Sequence, residues 1–160
     1  MLLWKYCQMP QFWYICIIHD LLPARSLPSI PASHSRVELT GNCEAITIVG
    51  SDILIYRLVY NLVENAIKYN HPGGQVTVSA SRKEKRVCLS VADTGNGIPE
   101  ELRERVFEPF FRVDKSRSRA LGGVGLGLAL VHEIVRVHEG SITVRSNPSG
   151  GTVFEVMFTQ

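Results

Sequence analysis

The sequence predicts an α+β fold: a two-layer sandwich of a mostly antiparallel, mixed sheet with helices on one face. Three observations predict it. Two long stretches, residues 52–69 and 125–138, repeat their apolar residues at helical spacing. Several short stretches alternate apolar with polar residues, as half-buried strands do. Turn-forming residues separate them at intervals that suit hairpins.

The elements follow in order. Residues 37–39 and 45–49 read as short strands around a turn at Gly41-Asn42. Gly50-Ser51-Asp52 then opens a helix, with Ser51 or Asp52 as its N-cap. Leu54, Leu58, Leu62 and Ala66 recur every four residues along it, and His71-Pro72-Gly73-Gly74 stops it. Val76, Val78 and Ala80, then Val87, Leu89 and Val91, alternate with polar residues around the charged run 82–86, which is a hairpin pattern. Residues 93–99 form a Gly-rich loop, residues 100–106 a short helix, and residues 112–123 a basic loop. The second long helix carries Leu128, Val131, Val135 and His138 on one face. A last hairpin, 142–145 with 153–158, turns at residues 147–151 and puts Phe154, Val156 and Phe158 on one side.

With 160 residues the chain suits one domain with a real core. A hydrophobic content of 45% against 20% charged residues fits a globular protein, not a disordered one. Seventeen basic and fifteen acidic residues leave no strong basic excess, which argues against a dedicated nucleic-acid binder. Cys7, Cys16, Cys43 and Cys88 form no Cys-x-x-Cys pair, so neither zinc nor a disulfide framework is expected, and reduced thiols point to the cytoplasm. The apolar run 12–18 is too short to span a bilayer. Composition changes near residue 32: residues 1–32 are aromatic and then proline-rich, and read as a poorly ordered appendage to a domain at 33–160.

Four motifs could carry chemistry. In residues 61–69, Asn61, Asn65, Lys68 and Tyr69 share one helix face. Amide oxygens suit Mg²⁺, a hard cation, and an ammonium suits phosphate. A solvated polar face explains the segment equally well. In Asp93-Thr94-Gly95-Asn96-Gly97-Ile98-Pro99, a carboxylate at a strand end could accept from an exocyclic amino group, and the glycines allow close approach. Alone, a Gly turn with an Asx cap is the simpler account. Gly122-Gly123-Val124-Gly125-Leu126-Gly127-Leu128 leads into a helix and offers backbone N–H groups to an anion. Its spacing fits neither a dinucleotide fingerprint nor a P-loop. Phe107-Glu108-Pro109-Phe110-Phe111-Arg112 precedes Lys115, Arg117 and Arg119, the composition of a lid whose cations could close over phosphates.

In this order and spacing, the motifs resemble the catalytic ATP-binding domain of sensor histidine kinases, within the GHKL, or Bergerat-fold, superfamily. Residues 61–69 resemble its N box, 93–97 its first Gly box, 107–111 its F box and 123–127 its second Gly box. Gly151-Thr152-Val153-Phe154 resembles the closing strand motif, whose Thr lies near adenine. The resemblance covers residues 33–160. It implies Mg-ATP binding and γ-phosphoryl transfer to a histidine on a dimerisation domain, with a response regulator downstream. It implies that Asn65 ligates Mg²⁺ with help from Asn61, that Lys68 touches phosphate, and that these three serve catalysis. Tyr69 would touch the nucleoside and Asp93 would read adenine. Gly95, Gly97 and Ile98 would line the purine pocket, Thr152 beside them, and Gly123, Gly125, Leu126 and Gly127 would lie at the lid's end.

The departures matter. Asn61 stands where the ATPase branch has a general-base Glu, so hydrolysis should be slow and transfer favoured. Val124 replaces a usual Ser or Thr, and His138-Glu139-Gly140 replaces His-Gly-Gly. The acceptor histidine belongs on a long helical hairpin upstream. Only His19-Asp20 looks like it, and Pro23, Pro28 and Pro31 break the helices that would be needed. The chain therefore reads as a partial kinase without its acceptor, its parent membrane-bound. A serine kinase of the anti-sigma type on the same fold, or a non-enzymatic ATP-binding module, are the alternatives.

Overall fold

The computed structural model describes residues 14–15, 37–43, 46, 48–113 and 124–159. In chain order it contains β1 (Tyr14–Ile15), β2 (Glu38–Cys43), β3 (Ile48–Val49), α1 (Asp52–Lys68), β4 (Gln75–Lys83), β5 (Arg86–Asp93), α2 (Gly127–Val137), β6 (Ser141–Ser146) and β7 (Thr152–Thr159). The main sheet runs β2-β4-β5-β7-β6. β2 lies parallel to β4, and every other neighbouring pair is antiparallel. β1 and β3 pair separately. The mixed sheet with helices on one face is the predicted architecture.

Register explains the layering. Across the sheet, Ala80 faces Leu89, Leu89 faces Val156, and Val91 faces Phe154. These inward residues meet Leu58, Leu62 and Ala66 of α1 and Val131, Ile134 and Val135 of α2 in one core. The two helices bury the stripe that their apolar spacing predicts. On β5 the inward positions are Val87, Leu89, Val91 and Asp93. The period of two thus puts a carboxylate where the next core valine would sit.

The helices are also tied end to end. His138, just past α2, accepts from the Ser51 N–H through Nε2 (3.2 Å) and has Nδ1 2.7 Å from the Ile134 carbonyl. Since that carbonyl can only accept, Nδ1 carries the proton. Ser51 is the N-cap of α1, but its side chain makes no cap bond.

Two local expectations are corrected. Gly41-Asn42 is not a turn: β2 runs through it and pairs with β4 from Glu38↔Gln75 to Cys43↔Ala80. Ladder bonds to a distant strand override the local preference of Gly and Asn for turns. Residues 100–106 do not form one helix. They make two 3₁₀ turns, Glu100–Leu102 and Arg105–Phe107, because a segment this short does not sustain α-type bonding. The appendage read at residues 1–32 lies outside the described residues, except at β1.

Candidate functional site

Asp93 closes β5 at 7% exposure. Its Oδ1 accepts from the Gly95 N–H (2.8 Å) and from the Thr152 N–H (3.2 Å). Both bonds go to one oxygen, so Oδ2 is left to meet an incoming donor. Burial pushes the carboxyl above its ordinary range, and the two N–H groups pull it partly back. Gly151, at φ +86°, packs against this group: a Cβ there would lie 2.5 Å from Asp93 Oδ1. Only glycine fits both the conformation and the contact.

The loop after Asp93 sits on the end of α1. Asn96 N–H donates to the Tyr69 carbonyl (3.2 Å), and a Cβ on Gly95 would lie 2.5 Å from that same oxygen. Ile98 packs against the core from a partly buried position. The residues of this loop and the C-terminal end of α1 thus form one continuous wall.

The amide pair sits one turn back. Asn61 Nδ2 donates to the Arg57 carbonyl at 2.6 Å. A carbonyl only accepts, so the amide nitrogen must face Arg57 and Oδ1 faces away. That oxygen looks toward α2, where a Cβ on Gly127 would lie 2.9 Å from it and 3.6 Å from Asn65 Nδ2. Glycine at 127 therefore keeps a gap between the start of α2 and the two amides. Among the described residues no three His, Cys, Asp or Glu side chains gather to hold a metal. A hard cation here would rest on amide oxygens and on the oxygens of its own ligand, as Mg²⁺ does beside phosphates.

Cations stand beside the gap. Burial lowers the Lys68 ammonium below its usual range; Glu64 opposes that shift, and Arg112 adds to it. Lys68 Nζ also lies 5.6 Å from the Tyr69 ring centroid. Arg112 Nη2 is buried and, among the described residues, has no hydrogen-bond partner. An unpartnered buried donor of a guanidinium is costly unless an anion completes it. Two cations, one of them carrying this donor, fit a phosphate chain. The turn before Arg112 is braced: Arg105 lies 4.5 Å over the Phe111 ring, and Phe110 N–H donates to the Gly125 carbonyl at 2.9 Å.

The structure thus gathers the predicted residues into two connected parts. Asp93, Gly95, Gly97, Ile98 and Thr152 lie at one end, with Tyr69 between. Asn61, Asn65, Lys68, Gly125 and Gly127 lie at the other. Leu126 is the residue just before α2 and is 46% exposed. Gly123 and the basic residues Lys115, Arg117 and Arg119, which the sequence suggests as lid cations, lie outside the described residues. Three contributors were not singled out from sequence. In the sequence, Arg112 is only the first residue of the basic loop 112–123. Asn147 donates through Nδ2 to the Asp93 carbonyl (2.8 Å), and Arg103 bonds Ser146 Oγ (2.7 Å) and the Ile98 carbonyl (3.4 Å). No local pattern marks the last two, since each acts through a contact with a distant residue.

Residues 50–160 match the family described as histidine kinase-, DNA gyrase B-, and HSP90-like ATPase. The chain belongs to this family. The matched span holds every residue of both parts of the site. Among relatives, the sensor histidine kinase RppB of Synechocystis sp. is 37% identical over 147 residues, covering 90% of this chain and 32% of its own length. The chain therefore spans about a third of that relative (32%). Among solved structures, the mycobacterial sensor histidine kinase MprB superposes with a TM-score of 0.71 at 31% identity, covering 79% of this chain and 84% of that one. Full-length ShkA in complex with AMPPNP superposes with a TM-score of 0.68 at 29% identity, covering 79% of this chain and 26% of that one.

Proposed function

We propose that residues 33–160 are the catalytic unit of a sensor histidine kinase. The unit binds Mg²⁺-ATP and presents the γ-phosphoryl group to a histidine on a separate dimerisation domain, for onward passage to a response regulator. The arrangement that carries this reading is a buried carboxylate, Asp93, whose loop packs on the C-terminal end of α1, together with Lys68 in the last turn of that helix and the Arg112 donor that has no partner among the described residues. A neutral base carrying an exocyclic amino group suits the first, and a polyphosphate suits the second.

Each residue then has a task. Asp93 Oδ2 accepts from the adenine amino group and rejects guanine, whose corresponding edge is a carbonyl. Gly95, Gly97, Ile98 and Thr152 surround the base, and Tyr69 lies against the nucleoside. Asn61 and Asn65 are the residues that would hold Mg²⁺, which when bound neutralises charge across the phosphate oxygens. Lys68 and Arg112 stabilise the equatorial oxygens as the phosphoryl group leaves ADP. The attacking imidazole comes from the partner domain, so the N–P bond forms as the bond to ADP breaks. The protein contributes positioning and charge, and Asn61 cannot take a proton from water. Transfer to an acceptor is thereby favoured over hydrolysis.

The proposed location is the cytoplasmic side of the cell, where ATP is available. Among the described residues no helix is long and apolar enough to cross a membrane.

The test is to incubate the chain with Mg²⁺, labelled ATP and separately produced acceptor hairpins. Acid-labile, base-stable label on a hairpin is the expected product. Acid-stable label would instead indicate serine phosphorylation. ATP binding without transfer to any hairpin would reduce the chain to a binding module.

A further inference from the structure

The turn between β6 and β7 grips Asp93 from two sides. Asn147, at its start, donates through Nδ2 to the Asp93 main-chain oxygen at 2.8 Å, in a part-buried contact between residues 54 apart in sequence. Thr152, at its end, donates its N–H to Asp93 Oδ1 at 3.2 Å. Between them Gly151 fills the space directly against the carboxylate.

The Asn147 side chain divides its work. Oδ1 accepts from the Ser149 N–H (3.2 Å) and shapes the turn locally. The backbone closes the same turn, with Asn147 N–H on the Gly151 carbonyl (3.1 Å) and Gly150 N–H on the Asn147 carbonyl (2.9 Å). Nδ2 is therefore free of turn duty and reaches across to β5. It acts where the ladder runs out: β5 pairs with β7 only as far as Ala92↔Val153, one residue short of Asp93. The amide of Asn147 takes the place of the missing rung. Arg103 adds a second strut, joining Ser146 Oγ (2.7 Å) to the Ile98 carbonyl (3.4 Å) at the other edge of the purine loop.

We infer that Asn147 is a positioning residue for the purine-reading carboxylate: its Nδ2–H anchors the Asp93 main chain and thereby sets the preference for adenine over guanine. The inference rests on the nucleotide reading above. Asp93 sits at a strand end, held on the β7 side by this side chain and by the Thr152 N–H. Without Nδ2 the carboxylate swings about a single remaining tie on that side, and its contact with the base loosens.

Asn147→Asp isolates the effect. It keeps an oxygen for the Ser149 N–H and so preserves the turn, but it sets an acceptor against the Asp93 carbonyl. Wild type and variant are titrated with ATP and with GTP by calorimetry, and thermal unfolding checks the fold. The expected result is an ATP affinity lower by about threefold to tenfold, the range of one neutral hydrogen bond, with a smaller change for GTP. The ATP:GTP ratio narrows. Wild-type ATP affinity and ratio in the folded variant would overturn the inference. An equal fall for both nucleotides would also overturn it, as the mark of a purely structural role. If Asn147→Asp does not fold, Asn147→Ser, which keeps a short turn acceptor but cannot reach β5, is read by the same criteria. The wild-type arm separates the two levels: a folded wild type that binds no ATP removes the nucleotide reading, and this inference with it.

Discussion

Replacing Asp93 by Asn alters one atom in a buried pocket, and its consequences for binding and for stability have opposite signs. The Gly95 and Thr152 N–H groups need an acceptor, so the amide oxygen takes the place of Oδ1. The amide nitrogen then occupies the Oδ2 position and, with adenine bound as proposed, presents a donor to its amino group. A hydrogen bond to a charged acceptor, worth about 1.5–3 kcal/mol, is lost. That alone weakens ATP about tenfold to 150-fold, and the facing donors add to it. Stability without nucleotide moves the other way. Burial raises the Asp93 carboxyl above its ordinary range, so ionisation costs more in the fold than in the unfolded chain. The sign follows from linkage: the group's contribution to stability is fully present below its unfolded value and is lost as pH rises through the raised folded value. Asp93→Asn abolishes this loss, so the variant gains on the wild type as pH rises from about 4, the unfolded value, through the raised folded one. Calorimetric titration with ATP and nucleotide-free thermal unfolding across that range read both effects. Binding within threefold of wild type would refute the assignment of Asp93. A nucleotide-free variant that loses ground to wild type as pH rises would refute the burial argument.

Gly151→Ala should remove ATP binding and lower the melting temperature, because the residue sits at φ +86° and its Cβ would meet Asp93 Oδ1 at 2.5 Å. The left-handed conformation alone costs about 1–2 kcal/mol for a residue with a side chain, and unfolding curves measure it. Lys68→Met should weaken ATP about tenfold or more and leave adenosine nearly unchanged, since the proposed partner of Lys68 is phosphate. Raising ionic strength should shrink that difference, as titrations at two salt concentrations would show. Arg112→Met should weaken ATP while leaving the nucleotide-free melting temperature no lower than wild type. Among the described residues the buried Nη2 has no hydrogen bond to lose, and removing it relieves an unpaired donor.

Much of this protein is legible in its residues alone. The hairpin strands announced themselves by alternation, since a half-buried sheet forces a period of two. That same period, carried on from Val87, Leu89 and Val91, places Asp93 inward at the end of β5. The N-box helix showed both its faces, one apolar for the core and one bearing Asn61, Asn65 and Lys68. Local chemistry misled where tertiary bonds were stronger. Gly41-Asn42 has turn composition, yet six rungs to β4 keep it extended.

The sequence by itself determined the elements, the buried faces and the residue types available for chemistry, because these depend on spacing along the chain. Only the tertiary structure decided which residues meet. Arg112 comes beside Lys68, Asn61 Oδ1 faces Gly127, and Asn147 reaches Asp93 because the sheet order β2-β4-β5-β7-β6 and the packing of α2 against α1 bring them together. Contacts between residues far apart in the chain leave no periodic trace in it. They are set by register and packing, and the sheet and helices must close before such contacts exist.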